Sequence, residues 1–464
     1  MTWVVPGAPL EGGRGWRIWY SRPGTEGFGP PAAPSIRLRG SDVPYESEWK
    51  SLTAAGGLDR RMGILTVRLS GEPSPGSTYD VRVPELGPDE PLRWSSMPNS
   101  IEGGVTFLMS SCFWKPGDEG AYEAAIIELT KRERPAFKFL LGDQVYLDYP
   151  PHPPWNVEES FAERYEEYWG FPPYQRVLRS SPNFFACDDH EFWNNYPDRQ
   201  PHLPYTWTAR GRATSEEAAR ALYDRFQRGL NPDGRSFFDF AVGEVSFFVA
   251  DPRSRRTPFD ADAPHFFGED QWQELEGWAA GLEGPGVLVI GQPLFQSAGG
   301  RFDRSLLSFG KDYLRLCEVF RRTITRNEPH DILVLTGDIH VGRHATGFLR
   351  GVPSPVEVHE FVASPASRIG PDLLPIHAKP APDLLRVPES IIWEVRTSRA
   401  DALPTADNNV AAVRVSPGTN GRVRFELSLW RVSRNSLGGP WVADQRDTGD
   451  ARHVPLFNKE IELR

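Results

Sequence analysis

Phe137-Lys138-Phe139-Leu140-Leu141-Gly142-Asp143-Gln144-Val145-Tyr146 runs from a mostly apolar stretch straight into a glycine and an acid. A short apolar run of this kind suits a strand in a sheet covered on both faces. The glycine permits a sharp turn at the strand end, so the carboxylate can face a point beyond the sheet. The same design recurs three times. Val105-Thr106-Phe107-Leu108-Met109 leads into Ser110-Ser111-Cys112, a run over 183–187 into Asp188-Asp189-His190-Glu191, and a run over 331–336 into Gly337-Asp338-Ile339-His340.

Working outward, the periodicity predicts strands over 105–110, 137–141, 183–187, 245–250, 286–290 and 331–336. Between them it predicts helices over 122–134, 158–168, 216–228, 271–282 and 313–326, the third opened by a capping box of Thr214 and Glu217. This alternation argues for βαβ units and an α/β fold. Residues 1–95 read differently. Trp16-Arg17-Ile18-Trp19-Tyr20, Leu65-Thr66-Val67-Arg68-Leu69 and Tyr79-Asp80-Val81-Arg82-Val83 alternate with period two, and Pro75-Gly76-Ser77-Thr78 is a turn. They suggest an N-terminal all-β domain of fibronectin or immunoglobulin type, with an accessory role, and a linker over 85–99. The chain returns to β where Val423, Phe425, Leu427 and Leu429 alternate with polar residues after the turn Asn420-Gly421. Segment 370–407 reads as an irregular excursion. Residues 150–154 and Phe171-Pro172-Pro173-Tyr174 read as stiff loops walling a site.

The composition narrows the function classes. The 464 residues, 39% hydrophobic and 12% aromatic, suffice for a catalytic domain over 100–464 beside the accessory one. A net charge of −10 argues against a nucleic-acid footprint, which needs a basic patch. Three cysteines argue against a disulfide framework. No apolar run approaches the ~20 residues of a membrane span. The N-terminus lacks the basic start and apolar core of a secretory or twin-arginine signal, so a cytoplasmic protein is expected.

Sites in sheets of this kind gather beyond the carboxyl ends of strands. Four strand ends presenting Cys112, Asp143, Tyr146, Asp189, His190, Asp338 and His340 are a metal-ligand inventory, and they point to metal-assisted hydrolysis of a phosphate ester. Asp143 can bridge two metals through its two oxygens, or be a simple turn residue. Tyr146 is a phenolate ligand or a packed aromatic. A Tyr and a Cys around one centre favour a hard, oxidised ion such as Fe(III). Asp189 reads as a ligand and His190 as the general acid for the leaving oxygen, with Asp188 or Glu191 orienting the imidazole. The competing reading of that run is a helix N-terminus whose acids complement the dipole. Cys112 is a buried small hydrophobe, a nucleophile or a thiolate ligand. Arg253, in Asp251-Pro252-Arg253, offers a fork to phosphate or joins a salt-bridge network. Asn194 and Asn195 suit a phosphoryl oxygen or a metal.

Taken in order, Cys112, Gly-Asp-x-x-Tyr at 142–146, Asp-Asp-His-Glu at 188–191 and Gly-Asp-x-His at 337–340 resemble the alkaline phosphatase D (PhoD-like) family of the calcineurin-like metallophosphoesterases. Phe192-Trp193-Asn194-Asn195-Tyr196, Asp251-Pro252-Arg253 and Glu360-Phe361-Val362-Ala363-Ser364 extend the likeness, which spans roughly 100–440. The resemblance implies a four-layer α/β/β/α sandwich with the metal site at its top. It implies an iron centre with calcium, Fe(III) plus Ca(II), while related enzymes use divalent pairs such as Zn, Mn or Mg. By motif, the iron-type site takes Cys112, Asp143, Tyr146 and His340, and its neighbour takes Asp143, Asp189 and Asp338. Asn194 and Arg253 fall where substrate would bind, and Asp148 is an acid beyond the family pattern. The expected activity is attack of a metal-activated hydroxide on phosphorus in a small or polymeric phosphate ester, with His190 as general acid. The competing class is a β-domain protein that binds a glycan or wall polymer and carries a degenerate hydrolase domain.

Overall fold

The computed structural model describes the chain apart from residues 25–28, 54–55, 71–73, 88–90, 152–154, 300–303, 351–355, 368–380, 387–391, 399–403, 406 and 433–454. Residues 3–95 form two four-stranded sheets. One orders Trp3–Pro9, Gly15–Pro23, Arg60–Leu69 and Tyr45–Leu52. The other orders Ser41–Asp42, Ser35–Leu38, Thr78–Arg82 and Leu92–Ser95. The strand Leu92–Ser95 lies within the stretch expected to be a linker. It pairs with Thr78–Arg82, and Trp94 buries its ring beside Trp16 while its Nε1 donates to the Arg179 carbonyl at 2.9 Å. Period two explains how Gly15–Pro23 is buried on both faces. Trp16, Ile18 and Tyr20 fill the core between the small sheets, while Trp19 packs on Phe226 with ring centres 5.4 Å apart.

The rest is mixed α/β, built on two larger sheets. The first orders Asn183–Ala186, Phe137–Leu141, Val105–Ser110, Asn409–Pro417, Val423–Arg431 and Phe457–Leu463, the first three parallel. The second orders Phe238–Val242, Val245–Val249, Gly286–Val289, Ile332–Thr336, Val356–Val362, Arg343–Arg350, Ile392–Thr397 and Leu384–Arg386. Its strands from Val245–Val249 through Val356–Val362 are parallel. Alternating residues send side chains to different cores. Phe107 and Phe139 of the first sheet share one apolar cluster with Phe247 and Leu335 of the second. Leu108 and Leu140 join the helices Ala121–Glu133, Val157–Trp169 and Ala209–Phe226 in another. Phe248 and Val334 pack with the helices Glu269–Ala280 and Gly310–Thr325 in a third. Each such buried side chain contributes about 2 kcal/mol through removal from water. Lys138 is buried in this setting because its Nζ donates to the Ser181 carbonyl at 2.8 Å, just past the helix Pro172–Arg179.

Three local expectations give way to packing and capping. Phe171-Pro172-Pro173-Tyr174 opens the helix Pro172–Arg179 instead of a loop, because prolines at the first helical positions forfeit only N–H groups that have no partner there. The third helix starts seven residues before the expected Glu216, at Ala209. Thr208 is its N-cap and accepts from the Gly211 N–H, so Thr214 and Glu217 lie inside it. The excursion over 370–407 contains the strands Leu384–Arg386 and Ile392–Thr397; much of the remainder, like 152–154 of the first stiff loop, lies outside the described residues.

Candidate metal centre

The carboxyl ends of parallel strands from both large sheets meet at one place. Cys112, Asp143, Asp338 and His340 all adopt left-handed backbone, with φ of 58°, 53°, 66° and 52°. Asn195 does the same at 58°. Non-glycine residues held there cost of order 1 kcal/mol or more each, and such strain gathers at functional sites. Gly142, at φ 85°, permits the close approach of the Asp188 backbone, since a Cβ there would collide with the Cβ and N of Asp188. The two sheets are stitched at this point by the Ser111 hydroxyl on the Ala363 carbonyl at 3.1 Å and by the Ala366 N–H on the Ser111 carbonyl at 2.7 Å.

Among the described residues, three groups each bring their ligand atoms within 4.8 Å of one another: Cys112, Asp143 and His340; Asp143, Asp189 and His190; and Asp143, Asp188, Asp189 and Asp338. Asp143 is common to all three. Its Oδ2 is 3.3 Å from Cys112 Sγ, and its Oδ1 accepts the His190 N–H at 3.2 Å. The hydroxyl of Tyr146 lies 3.4 Å from His340 Nε2. Cys112 Sγ is also 3.3 Å from the Asp338 carbonyl and 3.2 Å from Ser364 Oγ.

The donor set fits a cation. Asp188 Oδ2 and Asp189 Oδ1 are buried with no hydrogen-bond partner. Clustered buried acids need a counter-charge. Burial, then neighbouring acids, pushes the Asp143 carboxyl well above its ordinary range, although His190 opposes this. Burial likewise raises the Cys112 thiol, with Asp143 and Asp338 adding to it. A metal ion reverses each of these penalties.

Around these groups the structure sorts the expected residues. His190 Nδ1 pairs with Asp148 Oδ1 at 2.7 Å, and Asp148 Oδ2 accepts the Asn194 N–H at 2.8 Å. The orienting acid is therefore Asp148, in place of the expected Asp188 or Glu191. Asp188 turns to Arg253 Nε. Glu191 accepts the backbone N–H groups of Asp143 at 2.9 Å, Gln144 at 2.7 Å and Asp188 at 3.1 Å, clamping two of the strand-end turns together. Arg253 is 1% exposed and spends its guanidinium on Asp188 and the Tyr196 carbonyl, so the salt-bridge alternative describes it and the phosphate fork does not. Asn194 donates its amide to Gln200 at 3.4 Å. Its neighbour is better placed: the Asn195 N–H donates to Asp189 Oδ2, and its Nδ2 is buried without a partner. Gln292, which sequence reasoning missed, donates to Asp338 Oδ2 at 3.2 Å. It follows the predicted strand over 286–290 by two residues, the same offset as Cys112 and Asp143 after theirs, and that offset was the available signal.

Residues 107–280 match the family model of the PhoD-like phosphatases, which bears out over that span the resemblance read from the motifs. A solved structure described as that of PhoD superposes with a TM-score of 0.61 at 17% identity, covering 92% of this chain and 85% of the other. At that identity the likeness is one of fold. No curated protein sequence matches the chain.

Proposed function

We propose that the protein is a metal-dependent phosphoric ester hydrolase of the PhoD-like type. One observation carries the proposal: Asp143 belongs to all three ligand groups, so a single carboxylate can bridge neighbouring cations. Cys112, Asp143, Tyr146 and His340 would hold an iron-type ion, because thiolate and phenolate donors favour Fe(III). Asp143, Asp189 and Asp338 would hold its neighbour, an all-oxygen set suited to Ca(II) or, in a divalent pair, to Mg or Mn. Such ions supply Lewis acidity toward phosphoryl oxygens and make water more acidic. The chain's own groups do the rest. Asp148 accepts the Nδ1–H of His190, so that in the imidazolium form the Nε2–H is the proton given to the leaving oxygen. Burial alone would lower the His190 pKa, but Asp148, Asp189 and Asp143 raise it well above its ordinary value, as an acid role requires. The unpartnered Asn195 Nδ2 is a donor for a phosphoryl oxygen.

The apolar clusters support reading the catalytic part, 100–464, as an α/β/β/α sandwich with 1–95 as the accessory β domain. The test is elemental analysis of the purified protein, with hydrolysis of p-nitrophenyl phosphate and bis-p-nitrophenyl phosphate in the presence and absence of chelator. Iron near one equivalent with chelator-sensitive turnover is expected, and the rate ratio ranks monoester against diester. Zinc or manganese with turnover keeps the hydrolase and removes the iron assignment. No metal and no turnover after reconstitution refutes the proposal in favour of a polymer-binding protein with a degenerate centre.

A further inference from the structure

On the far side of the turn that carries Asp189 and Asn195 lies a cavity of about 420 Å³. One wall is the helix Ala209–Phe226, which presents Arg212, Glu216 and Arg220 at four-residue spacing along one face. The other wall carries Arg255 and Arg256, in the loop after the strand Val245–Val249, and Tyr196 contributes to the base. Four arginines and one glutamate thus line the cavity. Glu216 neutralises Arg220 at 2.9 Å, and Asp270, outside the cavity, lies 3.4 Å from Arg255 with both half exposed. Arg212 and Arg256 are held by neutral oxygens: the Thr206 carbonyl at 2.8 Å for the first, and the Pro252 carbonyl at 2.9 Å and the Gln292 amide for the second. Carbonyl contacts orient a guanidinium without cancelling its charge. Burial, then the adjoining Arg253, lowers the Arg256 pKa to about 9, against the opposing pull of Asp188, Asp189 and Asp198.

Two bridges tie this cavity to the metal centre. Arg253 Nη1 donates to the Tyr196 carbonyl at 3.3 Å while its Nε pairs with Asp188. Arg256 reaches Gln292, whose Nε2 donates to Asp338 Oδ2 at 3.2 Å. We infer that the cavity is a second anion site, which takes a phosphate group other than the one being hydrolysed. Guanidinium forks match the paired oxygens of phosphate, and the excess positive charge selects a polyanion over a neutral leaving group. That phosphate belongs either to the next unit of a linked substrate or to free inorganic phosphate. Its relevance rests on the proposed hydrolase; its binding does not need the metals.

The test is titration calorimetry on the full chain, stripped of metal by chelator and dialysed, with inorganic phosphate and sodium tripolyphosphate as probes at low ionic strength. One equivalent of probe should bind. Arg212→Ala/Arg255→Ala should weaken it about tenfold or more, and Arg212→Lys/Arg255→Lys should weaken it less than the alanine pair. Tripolyphosphate binding far tighter than phosphate identifies a linked substrate; equal affinity identifies free phosphate; both uphold the site. No binding of either probe, or unchanged affinity in an alanine pair whose urea midpoint matches the parent, overturns it. A wrong metal assignment would leave this binding intact, and a wrong anion site would leave p-nitrophenyl phosphate hydrolysis intact.

Discussion

Gly142→Ala separates the backbone demand of the strand-end turn from its packing demand. Gly142 sits at φ 85°, where an L-residue costs roughly 1–2 kcal/mol. A Cβ there would also drive into the Asp188 backbone, and overpacking of that kind costs about 1–3 kcal/mol. The sum is about 2–5 kcal/mol. Gly421→Ala is the built-in control: φ is 73° and nothing lies within 4 Å of the added Cβ, so only the first cost applies. Gly421 follows Asn420 in the turn that joins two strands of the same large sheet, so both variants are read on one unit. The assay is urea unfolding followed by tryptophan fluorescence, where equal slopes let midpoint shifts be read as stability. Gly142→Ala should unfold earlier than Gly421→Ala by about 1–3 kcal/mol. It should also lose metal, because pushing Asp188 away disturbs the Glu191 clamp on Asp143 and Asp188, and displaced supporting groups typically cost 10–100-fold in metal affinity. Coincident midpoints with full metal content in Gly142→Ala would refute the claim that this glycine is there for the approach of Asp188.

Asp148→Asn should lower kcat roughly 10–100-fold at unchanged metal content, read by turnover and elemental analysis, because it removes the acceptor that holds His190 Nδ1. His190→Ala should cost about 10²–10⁴-fold with an alkyl ester and much less with p-nitrophenyl phosphate, whose leaving group needs no acid; equal losses with both esters would remove the proton-donor role. Asp143→Asn should lose metal and activity together, and full retention of either would mean that Asp143 is not the shared ligand. Burial, then Lys459, depresses the His359 pKa from 6.5 to about 4, and the Asp331 carboxylate offsets only part of this. The unfolded chain therefore takes up a proton at this histidine before the folded one does. Stability from this group is complete above pH 6.5 and falls by about 3 kcal/mol as pH drops to 4, so His359→Gln should flatten urea midpoints across that window.

The strand-end motifs were legible because their signals are local. Near-continuous apolar runs such as Phe107-Leu108-Met109 and Phe139-Leu140-Leu141 mark strands covered on both faces, whose side chains enter different cores, and all six strands expected between 105 and 336 appear within a residue or two of their limits. The glycines and acids that follow announce turns for the same reason: backbone conformation at a strand end depends on a few neighbouring residues. The alternation of strand and helix likewise declared the α/β class. Helix starts were less legible, since Thr208 and Thr214 are chemically equal caps, and in the fold Thr208 takes the Gly211 N–H while Thr214 lies inside the helix.

Tertiary structure decided who meets whom. Cys112 and the Asp338 carbonyl are 226 residues apart and 3.3 Å distant because two separate sheets end at the same place. Three acids stood near His190 in the sequence pattern, and the turn at Asp189–Glu191 sends Asp188 to Arg253 and Glu191 to the backbone, so the imidazole falls to Asp148, 42 residues earlier. Arg253 looked like a phosphate fork until that same turn supplied its carboxylate. Periodicity specifies which side of an element is apolar. It carries no information on strand order, and strand order sets every long-range pairing of charge in this site.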